Sequence, residues 1–217
     1  MDGPYIVYGS PGSGSVPVEA ALTLIGEPYE VIGETVLRDV AQNPAVFKVN
    51  PLGQVPALVL PGGEVMTESA AILIWLADRH PEAGLAPLPT DARRPAFLRW
   101  MAYVSSAIYG LAWVRGDPMR LVSDERQAQV VLDRIADRRA DCWRWMEAQI
   151  EPKRFLLGDQ LSVLDLYVAT ISRWSPRRRR FYREAPKMSE VVRRLDADPR
   201  LAEFWAARFP FHEGWEG

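Results

Sequence analysis

The hydrophobic period of this chain changes once, at residues 81–92, and does not change back. Up to residue 80, short apolar runs alternate with helical spacing. "YIVY" (5–8) and "YEVIGETV" (29–36) are strand-like, and "VPALVL" (55–60) and "EVM" (64–66) flank the turn "PGG". "VPVEAALTLIG" (16–26) and "ESAAILIWLADRH" (68–80) have helical composition. The order strand–helix–strand–short helix–strand–strand–helix predicts a small mixed sheet with helices on its faces. Residues 81–92, "PEAGLAPLPTDA", carry three prolines and a glycine and read as a linker. Everything beyond it has helical spacing. Phe97, Met101, Val104, Ile108 and Leu111 form one buried stripe, and Val131, Ile135, Cys142, Met146 and Ile150 a second. "VLDLYVATI" (163–171) is apolar almost all round, which predicts a helix buried at the centre. Two shorter helices are expected near 187–197 and 199–208. The expected division is therefore an α/β domain over 1–80, a linker over 81–92 and an all-α domain over 93–217.

Composition excludes several classes. A net charge of −2 over 217 residues gives no whole-molecule attraction to nucleic acid or to an anionic membrane. No run of about 18 apolar residues is present, so no membrane span is expected. The start, "MDGPYIVYGS", lacks the basic and apolar parts of an export signal. A single cysteine, Cys142, and two histidines, His80 and His212, argue against both a disulfide framework and a zinc site. A reducing, cytoplasmic location without a metal is the expectation.

Four short stretches carry the chemistry. In "NPLGQVPAL" (50–58), Pro56 cannot donate a ladder hydrogen bond. It suits either a trans proline on an edge strand or a cis bend. The bend would leave the N–H and C=O of Val55 aimed outward, able to pair with an extended peptide-like ligand. In "MTESAAI" (66–72), Glu68 and Ser69 open an apolar helix whose first N–H groups favour an anion; read alone, the same pattern is a helix cap. In "GSPGSGSVP" (9–17), three serines and three glycines crowd a loop that runs into a helix. A hydroxyl there can donate to a thiolate and lower its pKa, as polar surroundings do for cysteine; read alone, the stretch is a surface loop. In "GDQLSVLDL" (158–166), Ser162 and Asp165 fit a capping box, with Leu161 and Leu166 as its staple.

Together, in this order and spacing, these stretches resemble the cytosolic glutathione transferase family, of the serine type and bacterial-like. The strongest marks are "NPLGQVPAL" followed by "ESAAI", and "FLLGDQLSVLDLYVA" (155–169). The resemblance implies a thioredoxin-like N-terminal domain that binds glutathione and an all-helical C-terminal domain that completes a second-substrate pocket. It implies an enzyme that joins the glutathione thiolate to a small hydrophobic electrophile, as a cytoplasmic homodimer serving detoxification. Glutathione would be co-substrate, with no metal, nucleic acid or membrane partner. A transferase-like binding or scaffold protein without turnover is the alternative.

Carried onto this chain, the resemblance makes Pro56 the cis-proline and gives Val55 the main-chain pairing. Gln54 would help hold the peptide, and Glu68 and Ser69 would take its γ-glutamyl end. Ser13 would be the thiolate partner, with Ser10, Ser15 and Tyr8 as rivals. Tyr109 and Trp113 would face the second-substrate pocket. Bacterial members of the beta type carry a cysteine where Gly14 stands here. A basic contact to the glycyl carboxylate is missing from "DVAQNPAVF" (39–47), where Gln42 is the one polar candidate. "RWSPRRRRFYREAPK" (173–187), with the Arg177–Arg180 run, reads as a solvated segment facing a partner rather than a nucleic-acid site.

Overall fold

The computed structural model describes residues 3–33 and 44–217. Gln42 lies outside the described residues. Four strands, β1 (Tyr5–Tyr8), β2 (Tyr29–Ile32), β3 (Ala57–Val59) and β4 (Val65–Thr67), form one mixed sheet in the order β2-β1-β3-β4. β1 pairs parallel with β2, Tyr5 opposite Tyr29, and antiparallel with β3, Tyr8 opposite Ala57. β3 pairs antiparallel with β4 across the predicted "PGG" turn. The parallel pair needs a crossover, and α1 (Val16–Ile25) supplies it. That helix stops at Gly26, whose φ of 84° suits glycine and whose N–H returns to the Leu22 carbonyl.

Helix α2 (Pro44–Val49) precedes β3, and α3 (Ser69–Arg79) follows β4. The chain then runs through Pro81–Ala83 in 3-10 form to α4 (Arg94–Tyr103). After it come α5 (Ala112–Gly116), α6 (Glu125–Glu147), α7 (Val163–Ile171), α8 (Arg177–Glu184), α9 (Pro186–Asp196) and α10 (Ala202–Arg208). Every residue of α7 is buried, and α1 packs against it, so the core runs unbroken from the sheet into the helical half. The capping box forms: Asp165 accepts from the Ser162 N–H at 2.8 Å and the Leu156 N–H at 2.8 Å. Among the described residues no helix is long and apolar enough to cross a membrane.

Two details depart from the sequence reading. Phe97, Met101, Val104 and Ile108 are buried as their spacing predicts, but Leu111 is only half-buried. The helix widens into a π turn over Val104–Tyr109, closed by the Gly110 N–H to the Ser105 carbonyl at 2.9 Å. One extra residue in a turn rotates everything after it, and such turns recur at functional sites. The arginine run, expected as a solvated segment, is helix α8 and part of the core. Arg178 is fully buried, with Nη1 2.7 Å from Asp196 and Nη2 donating to the Ala169 carbonyl. Arg173 lies under the rings of Phe209 and Phe211, at 3.5 and 4.2 Å, and donates to the carbonyls of Phe209 and Pro210. Burial brings the Arg173 guanidinium down to about 9. Arg177 and Arg179 stay exposed. The run thus fastens the C-terminal segment to the helical half.

Candidate functional site

A cleft of about 560 Å³ opens between the two halves of the chain. Its first wall is built from the stretch before β3. Asn50 is buried and holds that turn: its Nδ2 donates to the Gln54 carbonyl at 2.8 Å, and its Oδ1 accepts from the Leu52 N–H. Gly53 has φ 63°, and a Cβ there would meet the Phe47 ring at 2.5 Å, so the turn admits no side chain. The chain then exposes Gln54, half-buries Val55 and enters β3 through Pro56. The Val55–Pro56 bond is cis. So is Ser175–Pro176, which the sequence reading does not single out.

The floor is the start of α3. Glu68 is exposed and held at φ 65°, ψ 101°, outside the regions that suit a residue with a side chain. Strain of this kind, about 1–3 kcal/mol, persists where the surroundings over-determine it. Ser69 follows, buried, with its hydroxyl 2.7 Å from that of Tyr167. Burial pushes the Tyr167 phenol up to about 12, so it stays protonated.

The facing wall comes from the helical half. The π turn presents Ser105 and Tyr109, and the following segment presents Ala112, Trp113 and Arg120. Tyr109 donates to the Val55 carbonyl at 3.3 Å and stands edge-on to Trp174 and Tyr167, with centroids at 4.9 and 6.1 Å. Its oxygen sits over Gly14: a Cβ on that residue would come within 1.8 Å of it. Burial, with Tyr167 and Glu68 nearby, pushes the Tyr109 phenol well above the ordinary tyrosine range. The hydroxyl is therefore a permanent donor at neutral pH.

Gln54, Val55, Pro56, Glu68, Ser69, Tyr109 and Trp113 thus line one cleft. The serine loop does not. Ser10, Ser13 and Ser15 are buried, and none of them lines the cleft. The Ser13 hydroxyl accepts from the N–H groups of Ser10 and Ser15 at 3.2 Å and shares a hydrogen with the Ser15 hydroxyl at 2.9 Å. Ser15 donates to Glu19 at 2.6 Å, and Glu19, fully buried, pairs with Arg208 at 2.5 Å. The loop is tied from outside as well: Gly12 donates to the Arg208 carbonyl, and Trp174 donates to the Gly12 carbonyl. Ser13, expected to meet the thiolate, has the lone pairs and hydrogen of its hydroxyl engaged inside the loop. The Ser10 hydroxyl is buried without a partner among the described residues, and Tyr8 lies on β1 away from the cleft lining. Sequence reasoning missed Asn50, Ser105, Tyr167 and Arg120. Asn50 opens the quoted stretch and was open to reading as a turn-holding side chain; the others carry no local signal. Among the described residues no group of three His, Cys, Asp or Glu side chains could hold a metal ion.

Comparison with known proteins places this geometry. The family described as glutathione S-transferase, N-terminal domain, matches residues 15–79. An uncharacterized GST-like protein, YncG, of Escherichia coli strain K12 is 30% identical over 198 residues, covering 91% of this chain and 95% of that protein. A glutathione transferase homologue from Sulfitobacter, solved with bound glutathione, superposes with a TM-score of 0.80 at 24% identity, over 93% of this chain and 96% of that one. A sphingomonad glutathione S-transferase complexed with glutathione gives 0.75 at 25% identity, over 94% and 98%.

Proposed function

The chain belongs to the glutathione transferase family, and from that premise we propose that it adds the thiolate of glutathione to a small electrophile. Glutathione would lie along the first wall. The Val55 N–H has no partner among the described residues and would pair with the cysteinyl unit. The first N–H groups of α3, with the Ser69 hydroxyl, would take the γ-glutamyl carboxylate. Gln54 would close over the peptide.

The cysteinyl sulfur then falls near Gly14 and the Tyr109 hydroxyl. A free thiol ionises near pH 8.5, so it is mostly protonated at neutral pH. If the neutral Tyr109 phenol turns its one hydrogen from the Val55 carbonyl to the sulfur, the thiolate is favoured, because a hydrogen bond to the charged form stabilises that form. The thiolate attacks the electrophilic carbon, a C–S bond forms, and the electron pair leaves with a displaced group or moves into a conjugated system. The single observation that carries this reading is the Tyr109 hydroxyl, set over Gly14, where a side chain would collide with it, and beside Val55.

The sealed Ser13 hydroxyl favours a second reading, a glutathione-binding protein without turnover. Titration calorimetry with glutathione tests the binding that both readings share. The expected result is saturable binding, weakened about tenfold in Ser69→Ala by the loss of a charged hydrogen bond. No heat at millimolar glutathione, with both proteins alike, would sink it. Turnover of chlorodinitrobenzene separates the two readings.

A further inference from the structure

The outer part of the cleft is not uniformly apolar. Phe47, Leu52, Ala112 and Trp113 line it, and Trp113 is 48% exposed. Among the described residues lining the cleft there is one cation, Arg120, and one carboxylate, Glu68, on the opposing half. Arg120 is held in place by Trp113 twice over. Its Nη1 donates to the Trp113 carbonyl at 2.5 Å, and its guanidinium carbon stands 4.8 Å from the centre of the Trp113 ring.

These contacts fix the plane of the guanidinium while leaving one edge of it unspent. Nη2 has no partner among the described residues. Nε faces the Asp117 carboxylate at 3.7 Å, beyond hydrogen-bond length. Asp117 spends its other oxygen on the Met119 N–H and is about half exposed, so its pull on Arg120 is screened by water. A planar guanidinium with a free fork matches a carboxylate through two parallel hydrogen bonds. The exposed tryptophan beside it offers a flat apolar face.

We propose that the second substrate is a flat, unsaturated or aromatic carboxylic acid, held with its ring or double bond against Trp113 and its carboxylate on Arg120. The inference rests on the transferase reading of the cleft and narrows its electrophile from merely hydrophobic to anionic. Glu68 reinforces the orientation, since it repels a carboxylate from the opposite wall. The reaction is unchanged: the thiolate forms the C–S bond, and Arg120 positions the acid without taking part in bond making. The glycyl carboxylate of glutathione has the same chemistry, so the test separates the two sources.

Calorimetry on the whole protein uses 2-naphthoate and neutral 2-naphthamide, each with and without saturating glutathione, and glutathione against its glycyl ethyl ester. In the wild type, naphthoate is expected to bind at least about tenfold tighter than naphthamide, the worth of a charged hydrogen-bonded pair. Arg120→Gln should erase that preference, leave naphthamide within about twofold and leave glutathione unchanged; Arg120→Lys should restore part of it. Equal affinities in the wild type, or a preference that survives in Arg120→Gln, would overturn the proposal. So would a loss in Arg120→Gln confined to glutathione and absent with its ester, which moves Arg120 to the glycyl end. Should Arg120→Gln not fold, the wild type still decides: naphthoate affinity alone must fall from low to high salt. Absence of glutathione binding sinks the transferase reading separately, because the naphthoate preference is also read in the glutathione-free protein.

Discussion

Tyr109→Phe removes one oxygen and leaves the ring between Tyr167 and Trp174. A hydrogen bond to a charged acceptor is worth about 1.5–3 kcal/mol. At about 1.4 kcal/mol per pKa unit, its loss should raise the pKa of the bound glutathione thiol by roughly one to two units. The wild-type phenol is pushed up by burial, so it stays a neutral donor throughout the range of the experiment. Ultraviolet absorbance of the thiolate, followed across pH in the binary complex, reads the midpoint directly. Glutathione affinity at low pH, where the thiol is neutral in both proteins, should hardly change. Gly14→Ala is the companion perturbation, because its Cβ would lie 1.8 Å from the Tyr109 oxygen and force the phenol away. It should raise the thiol pKa in the wild type and add no further shift in Tyr109→Phe, where the donor is already gone. An unmoved midpoint in Tyr109→Phe, with Ser13→Ala shifting it instead, refutes the reasoning.

Two further outcomes concern the frame around the cleft. Arg208→Ala leaves Glu19 buried without its cation and should cost about 3 kcal/mol, read as a lower urea midpoint at unchanged slope; a loss below about 1 kcal/mol contradicts it. Asp165 is pushed up to about 6 by burial despite the donors around it, above the roughly 3.9 of an unfolded chain. Between those values the folded protein holds a proton that the unfolded chain releases. The contribution of Asp165 is therefore greatest at low pH, and about 3 kcal/mol of it is lost as pH rises past 6. The stability of the wild type relative to Asp165→Asn, measured by denaturation from pH 4 to 7, should fall along that range, and the opposite slope counts against the burial argument.

What the sequence makes legible here is what the backbone demands locally. A turn that must exclude a side chain, a strand entered through proline and a helix opened by Glu68 and Ser69 each need particular residues at adjacent positions, so they can be read without the fold. The capping box at Ser162 and Asp165 is legible for the same reason. The direction of the three serine hydroxyls is not, since composition alone leaves the loop free to face either way. The overlooked signal is Glu19 in "VPVEAALTLIG": a carboxylate on an apolar helix must find partners when buried, and Ser15 and Arg208 are those partners. Tyr109 and Trp113 enter through the family resemblance rather than through spacing, because the π turn that aims Tyr109 breaks the regular period. Arg120 has no sequence mark at all; its place depends on how the segment after that turn folds back over the cleft.

These same dependencies explain why the cleft behaves as a joint. In the proposed reading the first half supplies the main-chain groups and the helix start that would take the peptide. The hydroxyl over Gly14 and the cation beside Trp113 come from the second half, and they are the groups assigned here to reactivity and substrate choice. Besides the shared core and the Ser69–Tyr167 and Tyr109–Val55 hydrogen bonds, the serine loop is tied to the second half through Trp174 to Gly12, Gly12 to Arg208, and Arg208 to Glu19. A lesion at Arg208 therefore acts on two levels. It costs stability through the buried carboxylate, and it loosens the loop over which Tyr109 is poised. Glutathione affinity should survive such a lesion in the folded protein while the thiol pKa rises, a separation that a uniform loss of structure could not produce.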